Sequence, residues 1–129
     1  MSAPHPPPTH ARPFAVAVEA SESPVVIVLH GELDMAGTPS FALVMDEVAA
    51  NASHRVVFDL ADLSFIDAGG ISAILSAARD LEVRGVEVAV RDPQRVVRRL
   101  FLLCGLDDWA AAGEIIVAGP RVGARPALA

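Results

Sequence analysis

Two hydrophobic periods alternate along the chain. "FAVAVEA" (14–20) and "VVIVLHG" (25–31) are short β-branched runs divided by "SESP", a turn-forming break, and together they predict a β-hairpin. "HRVVFDL" (54–60), "VEVAV" (86–90) and "EIIVA" (114–118) predict three further strands. Between the strands the period lengthens to that of a helix. Thr38-Pro39 reads as an N-cap followed by proline at the first helical position. From there Phe41, Val44, Met45 and Val48 keep one apolar face while Asp46 and Glu47 point away. A second helix starts at a pair of glycines, with Ile71, Ile74, Leu75, Ala78 and Leu81 at helical spacing and Gly85 placed to stop it. A third, opened by Asp92-Pro93 and closed by Gly105, is expected to carry Val96, Val97, Leu100 and Phe101 inward and Arg95, Arg98 and Arg99 outward. A short helical piece is expected near 107–112.

Strands separated by helices need crossover connections, so the pattern predicts the α/β class: an N-terminal β-hairpin, then alternating helices and strands. The sheet is expected to be mixed and mostly parallel, with about five strands packed by three to four helices. A chain of 129 residues has room for one such domain. Residues 1–12 read as a flexible Pro-rich segment and 119–129 as a flexible tail, leaving 13–118 for the domain.

Composition narrows the function. Hydrophobic residues make up 53% of the chain and charged residues 20%, enough to build a core. A net charge of −6 argues against nucleic acid as a partner, because phosphate backbones call for a basic face. The absence of a long apolar run argues against membrane insertion, and the lead lacks the apolar centre of a secretion signal, so a cytoplasmic protein is expected. All ten basic residues are Arg, which removes Schiff-base chemistry, a lysine general base and the P-loop lysine. No enzyme, metal or cofactor is predicted.

Several residues still invite chemistry. Asp34, Asp59 and Asp67 close strands, where the ends of a parallel sheet gather ligands, and could converge there; the commoner role for such acids is to cap turns. His5, His10, His30 and His54 follow no zinc-ligand spacing. Cys104, on the apolar side of the third helix, is expected to be buried, and Trp109 to pin the last turn to the core. The Arg stripe of the third helix is either a solvated face or a grip for an acidic partner. At Ala68-Gly69-Gly70 the backbone can approach a neighbour closely, and the amides that open the helix present its positive end.

In order, "GELD" (31–34), "DLADLSFIDAGGISAIL" (59–75) and "VVRRLFLLCGLDD" (96–108) resemble the STAS domain of anti-sigma factor antagonists, over about residues 14–118. The resemblance implies a small STAS-like α/β fold and a binding role. Such proteins bind an anti-sigma factor, often a serine kinase, and free a sigma factor; phosphorylation of a Ser or Thr after the motif's aspartate abolishes binding. It places the aspartate at Asp67 and the phosphoacceptor at Ala68, followed by Gly69 and Gly70, so the hydroxyl is missing where the switch would act. The implied contact face is Asp34, Asp67, Ala68, Gly69, Gly70 and Ser72, on a monomer or weak dimer. Ser72, one turn beyond Ala68, is the candidate substitute phosphosite, with Ser64 upstream. The same resemblance admits a soluble accessory subunit of a lipid-trafficking ABC transporter, or a stressosome-like scaffold.

Overall fold

A computed structural model describes residues 13–19, 24–51, 54–111 and 113–117. The elements run β1 (Ala15–Val18), β2 (Val25–Leu33), α1 (Thr38–Asn51), β3 (Arg55–Ile66), α2 (Ala68–Val83), β4 (Glu87–Arg91), α3 (Arg95–Leu103), a 3-10 turn (Asp107–Ala110) and β5 (Glu114–Ile116). The hairpin turn, the Pro-rich lead with His5 and His10, and the C-terminal tail lie outside the described residues.

The five strands stand in chain order across one sheet. β2, β3 and β4 are parallel, while β1 and β5 add antiparallel edges. The second of these edges has no sign in the alternation of strands and helices. The crossovers β2–α1–β3 and β3–α2–β4 advance one strand each in the same direction. Their right-handedness therefore puts both helices on one face. There Ile27, Leu29, Val56, Phe58, Leu60, Val88 and Val90 form one core with Phe41, Met45, Ile74 and Leu81 of α1 and α2 and with Val97 and Phe101 of α3. Phe41, Phe58 and Phe101 are fully buried, each stabilising the fold by roughly 1.5–3 kcal/mol. Trp109 joins the core edge-on to Phe101, ring centres 5.7 Å apart, and so ties the 3-10 turn to α3.

The opposite face is closed by charge. Val28, Asp59, Arg91 and Glu114 lie in register across four strands. Arg91 reaches Asp59 at 3.1 Å and Glu114 at 3.6 Å, and Arg55 reaches Glu114 at 2.8 Å. The hydrogen bond to Asp59, together with the charges of Asp59 and Glu114 and against some burial, holds the Arg91 pKa above its usual value.

Four local expectations change. β3 runs on from Leu60 to Ile66, because β2 carries a pairing partner for the extra half as far as Leu33. α1 begins at Thr38 itself: its hydroxyl donates to the Met35 carbonyl at 3.0 Å rather than capping the helix. α3 begins at Arg95, not at Asp92-Pro93; Asp92 sits at φ 57° and Gln94 is the N-cap residue. Finally, Val96 is 43% exposed and Cys104 is exposed. The buried stripe of α3 is centred on Val97 and Phe101, so Val96 falls a quarter-turn outside it. Cys104 is already the C-cap, where the chain swings away into Gly105 at φ 77°.

Candidate functional site

The parallel strands β2 and β3 end side by side, and their last residues deliver the two loops that make the site. At the end of β3, Asp67 leaves the strand with extended torsions and caps α2. Its Oδ1 accepts from the Gly70 amide at 2.8 Å, and its carbonyl accepts from Ile71 at 2.9 Å. Its own amide donates to the Leu33 carbonyl at 3.2 Å, fastening the start of α2 to the end of β2.

The adjacent glycines differ in kind. A Cβ on Gly70 would stand 2.4 Å from the Leu33 carbonyl oxygen and 2.8 Å from Ile66 Cγ1, so any side chain would push α2 off the sheet. A Cβ on Gly69 would meet nothing nearer than Asp67 Oδ1 at 3.4 Å and Met35 Cγ at 3.6 Å. Gly70 is a packing requirement and Gly69 is not.

Ala68 and Ser72 are exposed on α2, and Gly69 is half-buried beside Ala68. From β2, Asp34 turns the chain toward α1: its Oδ1 accepts from Ala36 at 3.0 Å and Gly37 at 3.3 Å. Gly37 is itself tight, with Phe14 3.0 Å from where its Cβ would be. The Leu33 contacts with Asp67 and Gly70, and Met35 beside Gly69, bring Asp34, Asp67, Ala68, Gly69 and Gly70 to one end of the sheet; Ser72 follows one turn along α2.

Met35 was missed by the sequence pattern. It is 70% exposed and lies against Gly69, making an apolar spot beside Ala68. Its only signal in the sequence is a large hydrophobic residue inside the turn "DMAGTP".

The strand-end acids do not pool. Asp34 serves its turn and Asp67 its helix, while Asp59 holds the Ala61 amide and Arg91. No three His, Cys, Asp or Glu among the described residues could share a metal ion. His30 lies 3.5 Å from Asp62, both well exposed, and His54 is exposed. Ser64 donates its hydroxyl to the Gly31 carbonyl at 3.1 Å and is partly buried, so it is taken up by the β2–β3 seam.

The STAS domain model matches residues 15–116 of the chain, from β1 to β5. The chain belongs to the STAS-domain family. Two curated relatives are anti-sigma F factor antagonists. That of Lysinibacillus sphaericus is 29% identical over 86 residues, 66% of this chain and 74% of its own. That of Paenibacillus polymyxa is 29% identical over 92 residues, 70% and 79%. The unphosphorylated anti-sigma factor antagonist SpoIIAA superposes with a TM-score of 0.64 at 25% identity, over 89% of this chain and 96% of that one. An antagonist from Mycobacterium paratuberculosis gives 0.62 at 27%, over 74% and 80%. The murine anion transporter Slc26a9 matches at 0.52 and 20% identity over 61% of this chain and 13% of its own, a likeness of fold alone. In sequence and fold this STAS chain is similar to anti-sigma factor antagonists. None of its described helices is long and apolar enough to cross a membrane.

Proposed function

We propose that this STAS protein binds an anti-sigma factor of the serine-kinase type through the start of α2, frees a sigma factor, and is not switched by phosphorylation at the usual position. The contact face is Asp34, Asp67, Ala68, Gly69, Gly70 and Ser72, with Met35 beside them. It acts in the cytoplasm as a monomer or weak dimer.

One observation carries the reading: at the exposed first residue of α2, directly after the capping Asp67, stands the methyl group of Ala68. A phosphate there would bring roughly −1.5 to −2 charges into a contact made for a small neutral group, next to the Asp67 carboxylate, and repulsion and desolvation would break the complex. Without a hydroxyl that event has no chemistry, and the protein stays competent to bind. Its level, rather than its phosphorylation, sets how much anti-sigma factor is sequestered. Gly69 offers no hydroxyl either. Ser72 is exposed but stands about 6 Å further along the helix, a distance that spoils near-attack geometry for transfer to it.

The test incubates the protein, its Ala68→Ser variant and its Ser72→Ala variant with purified anti-sigma kinases of the source organism and ATP, reading phosphate by peptide mass spectrometry. The expected result is binding of the wild-type chain without phosphate transfer, and phosphate at position 68 of the first variant. Phosphate on wild-type Ser72 would replace the unswitched reading with a relocated switch. Failure to bind any such kinase, with Gly70→Arg behaving as wild type in a pull-down, would overturn the function.

A further inference from the structure

The basic stripe of α3 has no part in the α2 site, and the fold gives it no partner. Arg95 and Arg99 stand one turn apart on the exposed side of the helix, and Leu102 and Leu103 continue that side into the last turn, 52% and 76% exposed. Val96 flanks them at 43%. On a nine-residue helix this makes an outward face of two guanidinium groups followed by two leucines.

Such a face is locally unfavourable in three ways. Cations in the first turn meet the positive end of the helix dipole, and α3 has no acidic residue in that turn to offset them. Arg95 repels both Arg98 and Arg99 at the i+3 and i+4 positions. Among the described residues neither Arg95, Arg98 nor Arg99 forms an ion pair, although Asp92, Asp107 and Asp108 flank the helix, and the Arg98 Nε is buried without a hydrogen-bond partner. On the sheet, Arg55 and Arg91 do find carboxylate partners. Exposed leucines beside unmatched cations, on a chain of net charge −6, describe a surface whose complement lies on another molecule.

We infer that the outward face of α3 is a docking surface for an acidic amphipathic segment of a partner protein. Its carboxylates would meet Arg95 and Arg99, and its apolar side chains would cover Leu102 and Leu103. Guanidinium forks fit carboxylates in paired hydrogen bonds, which favours a peptide over a bilayer. Two leucines bury too little apolar surface to hold a bilayer. The surface stands apart from the phosphoacceptor position and does not depend on the function proposed above.

The experiment uses the full chain and a fluorescent synthetic helix of Glu and Leu, with leucines at i, i+3, i+4 and i+7, and reads anisotropy at 50 and 500 mM salt. A Gln-for-Glu version of the peptide is the neutral control, and vesicles of phosphatidylglycerol and phosphatidylcholine are the membrane arm. The acidic peptide should bind, the neutral one should not, and high salt should weaken binding. The R95E/R99E variant should bind about tenfold or more weakly, as expected for two lost charge pairs turned repulsive. L102S/L103S should weaken binding without changing the salt slope. Folding is not in question for R95E/R99E, since acids in the first turn suit the helix dipole, and its melting temperature should be no lower than that of the parent. Equal binding of the acidic peptide by parent and R95E/R99E would overturn the inference. So would absence of peptide binding, or co-sedimentation with vesicles in its place.

Discussion

Gly70→Ala tests the construction of the site most directly. The added methyl carbon would stand 2.4 Å from the Leu33 carbonyl oxygen and 2.8 Å from Ile66 Cγ1, a backbone atom and a fully buried side chain, neither able to swing aside. To reach ordinary contact, the first turn of α2 must rise by about 1 Å, which stretches the Asp67–Leu33 and Asp67–Gly70 hydrogen bonds of 3.2 and 2.8 Å. Overpacking of this sort costs about 1–3 kcal/mol, and loss of the capping bond about 1 more. The better helix propensity of alanine returns at most about 1 kcal/mol. The net expectation is about 2 kcal/mol of destabilisation, or a melting temperature lower by roughly 8–16 °C for a domain of this size. Gly69→Ala, with its nearest atom at 3.4 Å, supplies the control: unchanged or slightly more stable. Thermal and urea unfolding, followed by circular dichroism, measure both. If Gly70→Ala lies within about 0.5 kcal/mol of the parent, the usual scatter of harmless substitutions, the close contact of α2 on β2 is wrong.

The remaining expectations follow the same geometry. Asp67→Ala should cost about 1 kcal/mol by removing the cap, whereas Asp67→Asn keeps an acceptor oxygen and should recover most of it; equal losses in urea unfolding would contradict the Oδ1–Gly70 bond. Cys104 should react with a thiol reagent in the native protein nearly as fast as in urea, and strong native protection would restore a buried thiol. Phe101→Ala should cost about 3–5 kcal/mol, since its ring is fully buried against Trp109, while Leu103→Ala should change stability by less than about 0.5. Arg91→Met should cost no more than about 1 kcal/mol, because the pairs to Asp59 and Glu114 remain partly exposed, and the loss should shrink in high salt.

The sequence by itself determined the class of fold, because periodicity is a local property. The 3.6-residue rhythm of Phe41, Met45 and Val48, and the β-branched runs from Val25 and Val56, place helix and strand whatever they pack against. It also located the tight entry into α2, since an acid followed by small residues at a strand end suits a capped helix start, and the alanine that follows Asp67 is read from it directly. What depended on neighbours far along the chain was left to the tertiary structure. Gly69 and Gly70 are identical in sequence, and only the approach of Leu33 separates the one that must be glycine from the one that need not be. Met35 comes to lie beside Gly69 because β2 and β3 end together, and β3 reaches Ile66 because β2 pairs with it that far. The rotation of α3 about its axis, which buries Val97 and Phe101 and turns Val96, Leu103 and Cys104 outward, is set by the core it meets. An apolar residue in a sequence shows that a face can be buried; only the packed chain decides which face is.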